Sequence, residues 1–216
     1  MSVHVIAACV GYTHRMARWE PNARERLQAA ALALFEERGY DRTTVGDIAA
    51  RADLTERTFF RYFTDKREVL FAGSDDFVEL IVSGVASAPR TVSPLDVVVT
   101  ALAASSPFFE TRRATARKRQ ALIAAHADLR ERELMKSTKL GAAVVASLSE
   151  RGVPRDAAAL LAMTGMTLFH TAFERWIADS KKRDLAHHLY ASLAELRRLT
   201  AVPASAKARG KRAAVP

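Results

Sequence analysis

The stretch from Thr43 to Phe63 constrains the fold of this chain most, because it predicts two short helices separated by a tight turn. Thr44 can cap the first helix, since a threonine hydroxyl accepts a hydrogen bond from the backbone of the first turn. One face of that helix is apolar and consists of Val45, Ile48 and Ala49. The following residues, 52–54, leave room only for a turn.

The second short helix begins after Thr55, which can cap it in the same way. Phe59, Tyr62 and Phe63 then follow at the i, i+3, i+4 spacing of a buried stripe. Two short helices joined by about three residues are the layout of a helix-turn-helix, whose second helix enters the major groove of DNA. Many small helical pairs share this spacing, so the surrounding sequence has to support the interpretation.

Length and composition predict an all-α protein. The chain has 216 residues, of which 49% are apolar, and this is enough for one large domain or two small ones. Strand-like alternation is scarce, whereas alanine, leucine, arginine and glutamate are frequent. We expect about nine helices, divided between a three-helix helix-turn-helix domain and a second, larger helical domain.

Four segments emerge from the pattern along the chain. Residues 1–20 carry no periodicity and are expected to be a disordered N-terminal extension. The helix-turn-helix domain is placed at 21–66 and a second helical domain at 67–200, and the family resemblance described below implies effector binding and dimerisation for the latter. Residues 201–216, rich in alanine, proline, lysine and arginine, are expected to be a disordered basic tail.

The net charge of +9 and the pI near 10.1 suggest an anionic partner, which can be nucleic acid, a membrane surface or an acidic ligand. A solvated basic surface explains the same numbers. The single Cys9 excludes an intramolecular disulfide framework and a cysteine-based metal cluster. No apolar run reaches the roughly 18–20 residues of a membrane span. We therefore expect a cytoplasmic, nucleoid-associated protein.

The first helix and the helix pair are predicted to share a core. Asn22 can cap helix 1 with Glu25 three residues later, and Gly39 can end it in the left-handed conformation, followed by Tyr40. The residues expected in the common core are Leu34, Phe35, Val45, Ile48, Leu54, Phe59 and Phe63. About fifty residues form a marginal domain alone, so this core is expected to lean on helices later in the chain.

The remaining helices are placed by apolar spacing and by Gly and Pro breaks. Ser93 can cap a helix that starts at Pro94, and Gly152 with Pro154 ends the region that precedes the last two helices. The predicted spans are 65–87, 94–105, two helices within 107–151 that part near 126–128, 155–179 and 184–199.

The last two helices are apolar over more than one face, which predicts two sets of neighbours. A four-helix interface between this pair and its symmetry mate satisfies that requirement, and ordinary packing within one chain is the alternative. The residues proposed for a dimer interface are Phe169, Phe173, Trp176, Leu185, Leu189, Leu193 and Leu196.

The motif ERGYDRTTV followed by DIAARADLTERTFFRYFTDKREVL resembles the N-terminal domain of the TetR family of transcriptional regulators. The resemblance covers about residues 22–71, with helix cap, turn, aromatic recognition helix and following lysine in register. The remainder is similar to the family in its helical pattern and length. Through FFRYF and the general run of the C-terminal half, it is similar to a branch with acyl-CoA-like ligand domains.

The resemblance implies a homodimer that binds double-stranded palindromic DNA and releases it when a small-molecule effector binds the C-terminal domain. The family is not enzymatic, and no cofactor is expected. Carried over by position, the resemblance implies phosphate contacts near the start of helix 2, base-edge contacts in the first turn of helix 3, ring contacts further along it, and a phosphate contact from the lysine beyond. The implied DNA-binding residues are Thr43, Thr44, Glu56, Arg57, Thr58, Phe60, Arg61, Tyr62 and Lys66.

Three residues depart from the family pattern. Phe60 stands where tyrosine is frequent, which removes a phosphate hydrogen bond. Glu56 can accept from a cytosine amino group or only favour the helix dipole. Gly46 inside helix 2 costs about 1 kcal/mol relative to alanine and has no evident compensation in the sequence. Tyr62 can serve core closure instead of DNA contact, and Arg61 can be solvated.

The basic excess lies outside the helix-turn-helix. Residues 15–71 hold eleven basic and ten acidic residues, whereas residues 111–140 hold nine against three and residues 181–216 hold nine against two. The tail can add non-specific DNA affinity. The cluster at 112–119 can receive the phosphates of an acyl-CoA-like anionic effector, or it is a solvated helix face. The candidate effector-binding residues are Phe108, Arg112, Arg113 and His170.

Two other functions are considered. An enzyme needs converging catalytic groups, and the histidines at 126, 170, 187 and 188 stand on helices without cysteine, paired carboxylates or a glycine-rich phosphate loop. His170 is expected in the core or lining a pocket, without a metal. A basic architectural protein that binds DNA or a membrane surface through charge is the second alternative, and it predicts binding that is independent of sequence.

Overall fold

The computed structural model describes residues 23–110 and 112–201, so the predicted N-terminal extension, the Asn22 cap and nearly all of the basic tail lie outside the described residues. Within those ranges the chain is all-helical, with nine α-helices of seven residues or more, a further single-turn one and a 3-10 helix at Arg67–Phe71. This confirms the predicted fold class. The α-helices are α1 (Ala23–Arg38), α2 (Val45–Arg51), α3 (Glu56–Tyr62), α4 (Ser74–Ser87), α5 (Pro94–Ala103), α6 (Ser106–Glu110), α7 (Arg113–Ala125), α8 (Ala127–Glu150), α9 (Arg155–Ala178) and α10 (Leu185–Thr200).

The ends of the first helices follow the local signals in the sequence. Gly39 adopts φ +86°, which ends α1, and the Tyr40 ring packs against the Phe35 ring with centroids 5.2 Å apart. Thr44 and Thr55 cap α2 and α3 through their hydroxyls, as predicted. The resulting three-helix core buries the large side chains that the sequence pattern selected, and Val45 and Leu54 pack at its edge.

The predicted helix over 65–87 is wrong in its first half. Residues Arg67–Phe71 form a 3-10 helix, and α4 begins only at Ser74. Gly73 separates the two with φ +86°, a left-handed conformation that interrupts helical hydrogen bonding. The break gives the chain its direction change between the N-terminal core and the C-terminal helices.

The N-terminal core is completed from outside the helix-turn-helix. Val69, Leu70 and Phe71 of the 3-10 helix are buried in it, together with Ile123 of α7 and Leu129 of α8. The expectation that the small domain leans on later helices is therefore confirmed. The α7–α8 corner, where α7 ends at the extended His126, is in direct contact with the helix-turn-helix part of the chain.

The C-terminal core is formed by α4, α5, α8, α9 and α10. Ser93 caps α5 with Pro94 in its first turn, and Gly152 (φ +89°) turns the chain between α8 and α9. Gly165 allows the closest helix approach, since a methyl group added there would overlap Val98 of α5. None of the helices described is long and apolar enough to cross a lipid bilayer.

The predicted dimer-interface residues need correction. Trp176, Leu185 and Leu189 are 0% exposed and Leu193 is 4% exposed within a single chain, so these side chains belong to its own core. Phe169, Phe173 and Leu196 are partly buried against the same core. The apolar stripe therefore faces α5, α6 and α8 of the same molecule, because intrachain packing alone provides both neighbours that the pattern required.

Candidate nucleic-acid interface and effector region

Helix α3 is fixed at its first turn and through its inner face. The Thr55 hydroxyl accepts from the backbone N–H of Thr58 at 3.1 Å and lies 3.0 Å from the Thr58 hydroxyl. Phe59 is 0% exposed and contacts the Phe63 ring with centroids 5.4 Å apart. Because the cap and the buried ring determine the rotation of the helix, they also determine which side chains it presents to solvent.

The outer face of α3 carries most of the predicted DNA contacts. Glu56, Arg57 and Arg61 are exposed, and the Phe60 ring is 54% exposed beside the fully buried Phe59. The Phe60 ring contacts the Phe59 ring edge-to-face with centroids 5.5 Å apart, and its exposed part can contact thymine methyl groups or sugars on DNA. Thr58 and Tyr62 are partly buried at the edge of this face.

Tyr62 and Arg61 are associated with each other. The Arg61 guanidinium donates to the Tyr62 hydroxyl at 3.2 Å, and its Cζ lies 5.0 Å from the centre of the Tyr62 ring. This contact orders two long side chains on the same edge of α3. Both predicted residues therefore remain on the candidate surface.

Glu56 and Gly46 form a contact between the two helices of the motif. A methyl group added at Gly46 would lie 2.6 Å from Glu56 Oε1, so the carboxylate rests on the first turn of α2. The absence of a side chain at Gly46 is what permits this approach. Gly46 thus has the compensation that the sequence did not reveal, and Glu56 is held at the junction of α2 and α3.

The two threonines before α2 have different roles. Thr44 is exposed, its hydroxyl accepts from the Asp47 N–H at 3.1 Å, and its own N–H donates to Asp47 Oδ2 at 2.9 Å, which completes a capping box. The Thr44 hydroxyl also donates to Asp47 Oδ2 at 2.6 Å, and this hydrogen bond together with the one from the Thr44 N–H holds the pKa of Asp47 below its usual value. Thr43 is 1% exposed and its hydroxyl donates to the Gly39 carbonyl at 2.8 Å. The predicted DNA contact from the Thr43 side chain is therefore corrected to a structural role.

Lys66 also makes contacts within the protein. Its Nζ donates to the Tyr40 carbonyl at 2.7 Å and lies 4.2 Å from the centre of the Tyr40 ring. The side chain is partly buried, so a phosphate contact requires it to leave or share these partners.

Arg42, which the sequence pattern did not single out, is exposed two residues before the Thr44 cap, and its Nε donates to the Arg38 carbonyl at 2.7 Å.

Charges around the reading face are largely balanced by neighbours. Arg51 pairs with Glu37, which lowers the pKa of that carboxyl, and Arg38 lies 3.5 Å from Asp47. The near-neutral count from the sequence therefore corresponds to ion pairs on the side of the domain formed by α1 and α2.

Three of the four predicted effector residues, Phe108, Arg112 and Arg113, lie where α6 meets α7. Phe108 is 41% exposed, and the Arg112 guanidinium lies 4.8 Å from the centre of its ring. The Arg113 guanidinium lies 4.9 Å from the Trp176 ring and donates to the carbonyls of Asp179 and Arg183 in the α9–α10 connection. Beside Arg113 is an open surface depression of about 350 Å³, which is lined by Glu110, Arg113, Ala114 and Lys182.

Most of the basic cluster at 112–119 stabilises the fold. Arg117 donates to the Ile177 carbonyl at 3.0 Å, Lys118 pairs with Glu36 at 2.7 Å, and Arg119 donates to the Leu70 carbonyl at 2.6 Å. Helix α7 thereby contacts both the end of α9 and the N-terminal domain. Arg117 and Lys118 are exposed and fit the interpretation as a solvated face, whereas Arg119 is partly buried and fits neither interpretation.

His170 is exposed. Its side chain is 64% exposed on α9 and lies 3.2 Å from Glu174, one turn further along the helix. The prediction that it lies in the core is therefore wrong, and its part in effector binding stays a prediction. His188 is buried instead, with Nε2 3.0 Å from Asp179 Oδ2. Within the described ranges, no three His, Cys, Asp or Glu residues are arranged to hold a metal ion.

Comparison with known proteins agrees with this geometry. A family model described as bacterial regulatory proteins, tetR family, matches residues 27–72. The transcriptional regulator TcmR of Streptomyces glaucescens is 35% identical over 75 residues, which are 35% of this chain and 33% of that protein. The transcriptional activator FasR of Mycolicibacterium smegmatis is 34% identical over 70 residues, 32% of each chain. The chain thus matches about a third of the length of these relatives.

Solved structures extend the likeness to the C-terminal helices. FadR of Thermus thermophilus, a TetR-family transcriptional repressor in complex with lauroyl-CoA, is 27% identical with a TM-score of 0.50, over 83% of this chain and 95% of that one. A complex of SmeT with triclosan has the same fold, with a TM-score of 0.56 and 21% identity over 80% of this chain and 90% of the other. Residues 27–72 are thus similar to the tetR family of bacterial regulatory proteins, and the helical fold of the chain is similar to that of these solved structures.

Proposed function

We propose that this chain is a DNA-binding transcriptional regulator, acting as a repressor that a small-molecule effector releases from a palindromic operator. The observation that carries the proposal is the exposed outer face of a capped helix α3, with Arg57, Phe60 and Arg61 around the buried anchor Phe59. A helix presented in this way fits the major groove of DNA. We also propose that residues 21–66 form the DNA-binding unit and residues 67–200 the regulatory one.

Individual side chains receive roles from chemistry and position. Arg57 and Thr58, in the first turn of α3, reach base edges, where arginine favours guanine. Phe60 contacts a thymine methyl group or a sugar. Thr44 and Arg42, at the start of α2, bind phosphates, since a helix N-terminus and a guanidinium both favour anions. Glu56, held against Gly46, accepts from a cytosine amino group.

A second copy of the chain is proposed to cover the outer face of α9. Leu160 and Met163 are 68% and 69% exposed and lie one turn apart, followed by the exposed Thr167 and His170 at the same helical spacing. Exposed apolar side chains in a row indicate a protein interface. Dimerisation there pairs two α3 helices, as a palindrome requires.

The dimer is tested by sedimentation of Met163→Glu. We expect a monomer that loses palindrome binding, whereas Leu134→Glu, at an equally exposed position on α8, should stay dimeric. A dimeric Met163→Glu protein would contradict this interface. A monomeric wild type would contradict the dimer itself.

The effector is proposed to be an acyl-CoA-like anionic molecule that binds near α6 and α7. FadR of Thermus thermophilus binds lauroyl-CoA, and Arg112 presents a cation on the exposed ring of Phe108 in this chain. Thermal unfolding with acyl-CoA esters tests the idea. Saturating ester should raise Tm for the wild type and less for Arg112→Gln, and no rise with any ester would contradict it.

The proposed function is tested by selecting bound fragments from genomic DNA with the purified protein, with and without candidate effectors. We expect one enriched palindrome, whose recovery falls with the right effector. The alternative, a basic DNA-binding or architectural protein, predicts recovery of all fragments alike. A variant without residues 202–216 is the control. If the tail adds only non-specific DNA affinity, the binding constant of this variant depends less steeply on salt concentration, and the enriched sequence stays the same.

A further inference from the structure

The interior of the C-terminal domain contains a cluster of aromatic rings between α4, α6 and α9. Phe77, Phe109, Phe169 and Phe173 contact one another with ring centroids 5.6 to 6.3 Å apart, mostly in tilted or edge-to-face arrangements. All four are only partly buried, although they belong to the domain core. Solvent therefore reaches the rim of this cluster, and its members are not fully enclosed by aliphatic neighbours.

Trp176 lies at the inner end of the same cluster. It is 0% exposed, and its ring contacts those of Phe173 and Phe109 at 5.4 and 6.1 Å. Its Nε1–H is buried, and among the described residues no acceptor lies within hydrogen-bond distance of it. An indole nitrogen can only donate, and a buried donor without an acceptor costs folding free energy. Such groups are rare in native proteins, which makes this one a candidate for ligand binding.

The environment of the indole favours a partly negative acceptor. The Arg113 guanidinium lies 4.9 Å from the Trp176 ring and brings a positive charge to this end of the cluster. A carbonyl oxygen beside the indole N–H would be stabilised both by the hydrogen bond and by that charge. The rings around it offer apolar and edge-to-face contacts to the rest of the ligand.

The length of the cluster limits the size of the ligand. Along α9 it runs from Phe169 to Trp176, seven residues or about 10 Å of helix. Beyond Phe169 the space is closed, since Gly165 packs directly on Val98 of α5. A molecule with one or two aromatic rings matches this length, whereas an extended long acyl chain exceeds it.

We propose that the cluster of Phe77, Phe109, Phe169, Phe173 and Trp176 opens to bind a compact aromatic carbonyl compound, whose oxygen accepts from Trp176 Nε1–H. This inference rests on the proposed effector-regulated function and specifies the ligand class. The carbonyl belongs either to a free ketone or acid or to an aryl-CoA thioester, whose phosphates would then lie toward Arg112 at the exposed Phe108.

The first experiment follows the indole directly. Trp19→Phe leaves Trp176 as the single tryptophan, and its ¹⁵N-labelled Nε1–H resonance is recorded while 2-acetylnaphthalene or naphthalene is added. We expect a downfield shift with the ketone and not with the hydrocarbon, and about tenfold tighter binding of the ketone, the effect of one hydrogen bond. Equal affinities, or an unmoved resonance at saturating ketone, would overturn the proposal.

A variant and a second ligand pair complete the test. Trp176→Phe should bind both naphthalene compounds equally, with its fold checked by circular dichroism; a retained preference for the ketone would contradict the role of Nε1. The labelled Trp19→Phe protein keeps Trp176, so the test holds if Trp176→Phe fails to fold. Benzoyl-CoA should bind about tenfold more tightly than lauroyl-CoA; the reverse order would overturn the proposed ligand size.

These titrations contain no DNA. If the protein binds the aromatic ketone but enriches no palindrome, the ligand site is supported and the proposed function is contradicted. If the protein enriches a palindrome but the indole resonance does not move, only the proposed aromatic ligand site is contradicted.

Discussion

The DNA-reading domain and the C-terminal domain use aromatic residues in opposite ways. On α3, Phe59 is completely buried while its neighbour Phe60 is 54% exposed. One ring therefore anchors the helix in the core, and the adjacent ring is available to contact DNA. In the C-terminal domain, Phe109, Phe173 and Trp176 contribute to the core and also form the candidate ligand site. The first arrangement separates stability from function, and the second joins them in the same side chains.

This difference affects how each domain can be changed. Outer-face substitutions on α3 should alter DNA binding and leave the fold intact, because surface side chains contribute little to stability. Substitutions in the aromatic cluster should alter both properties, since the rings that would receive a ligand also pack the domain. Regulation by ligand binding fits the second arrangement, because a molecule that parts core rings shifts the helices that carry them.

Two adjacent phenylalanines give the sharpest test of the separation. Phe59→Ala should lower the free energy of unfolding by about 3–5 kcal/mol, because it leaves a cavity in the small N-terminal core. Phe60→Ala should change it by less than about 0.5 kcal/mol and weaken operator binding. Urea unfolding and a DNA titration of both variants measure this, and equal destabilisation by the two would break the comparison.

The attachment of the 3-10 helix to α8 is expected to have the next largest effect, because Val69, Leu70 and Phe71 of that helix are buried in the N-terminal core. Glu68 in the 3-10 helix is 16% exposed and pairs with Arg132 and Lys136 of α8. Glu68→Gln should cost about 2 kcal/mol, less than a fully buried pair, because the site is partly solvated. Asp75→Asn, which breaks the exposed pair with Lys139, should cost less than about 0.5 kcal/mol. Similar values in urea unfolding would show that Glu68 does not attach the 3-10 helix to α8.

Tyr40 gives the junction a pH dependence. Burial and the hydrogen bond from its hydroxyl to Asp128, at 3.0 Å, raise the pKa of Tyr40 well above its ordinary value. The unfolded tyrosine ionises near pH 10 while the folded one keeps its proton, so this stabilisation is complete below about pH 10 and is lost as pH rises above it. Tyr40→Phe should cost about 1 kcal/mol at about pH 8. Its unfolding free energy should then fall less between about pH 9 and 11 than that of the wild type; parallel profiles would contradict the assignment.

The smallest expected change in stability accompanies a change in recognition. Gly46→Ala should alter the free energy of unfolding by less than about 1 kcal/mol, because the gain in helix propensity is offset by displacement of the Glu56 carboxylate. Its preference among operator base substitutions should change at one position of each half-site. Gly141→Ala in α8, where an added methyl group meets nothing within 4 Å, should stabilise the protein without changing that preference. Identical base preferences for Gly46→Ala and wild type would contradict the role of Glu56.

Local sequence signals predicted the DNA-reading domain well. The caps at Thr44, Thr55 and Ser93 and the left-handed Gly39 depend on hydrogen bonds and backbone angles within a few residues, and all four were confirmed. The helix break at Gly73 was missed within the predicted span 65–87, because its left-handed conformation depends on tertiary packing and not only on local sequence.

Long-range contacts account for the predictions that failed. An apolar stripe predicts burial but does not identify the partner, so Leu185 and Leu189 were placed between chains although they pack inside one. The family register implied a DNA contact for Thr43, but its side chain is 1% exposed and donates to the Gly39 carbonyl, whereas the phosphate contact of Lys66 stays a prediction. The unpartnered Trp176 Nε1 could not be predicted, since it depends on neighbours from separate helices.

The central claim is that α3 recognises DNA through placed side chains, because the domain around it is nearly neutral. Its most direct test is the dissociation constant, at about 0.15 M salt, for the selected palindrome and for a scrambled duplex of the same composition. The account predicts that the dimer binds the palindrome at least about 10³-fold more tightly, and that Arg57→Ala removes most of this difference. Equal affinities for the two duplexes would contradict it.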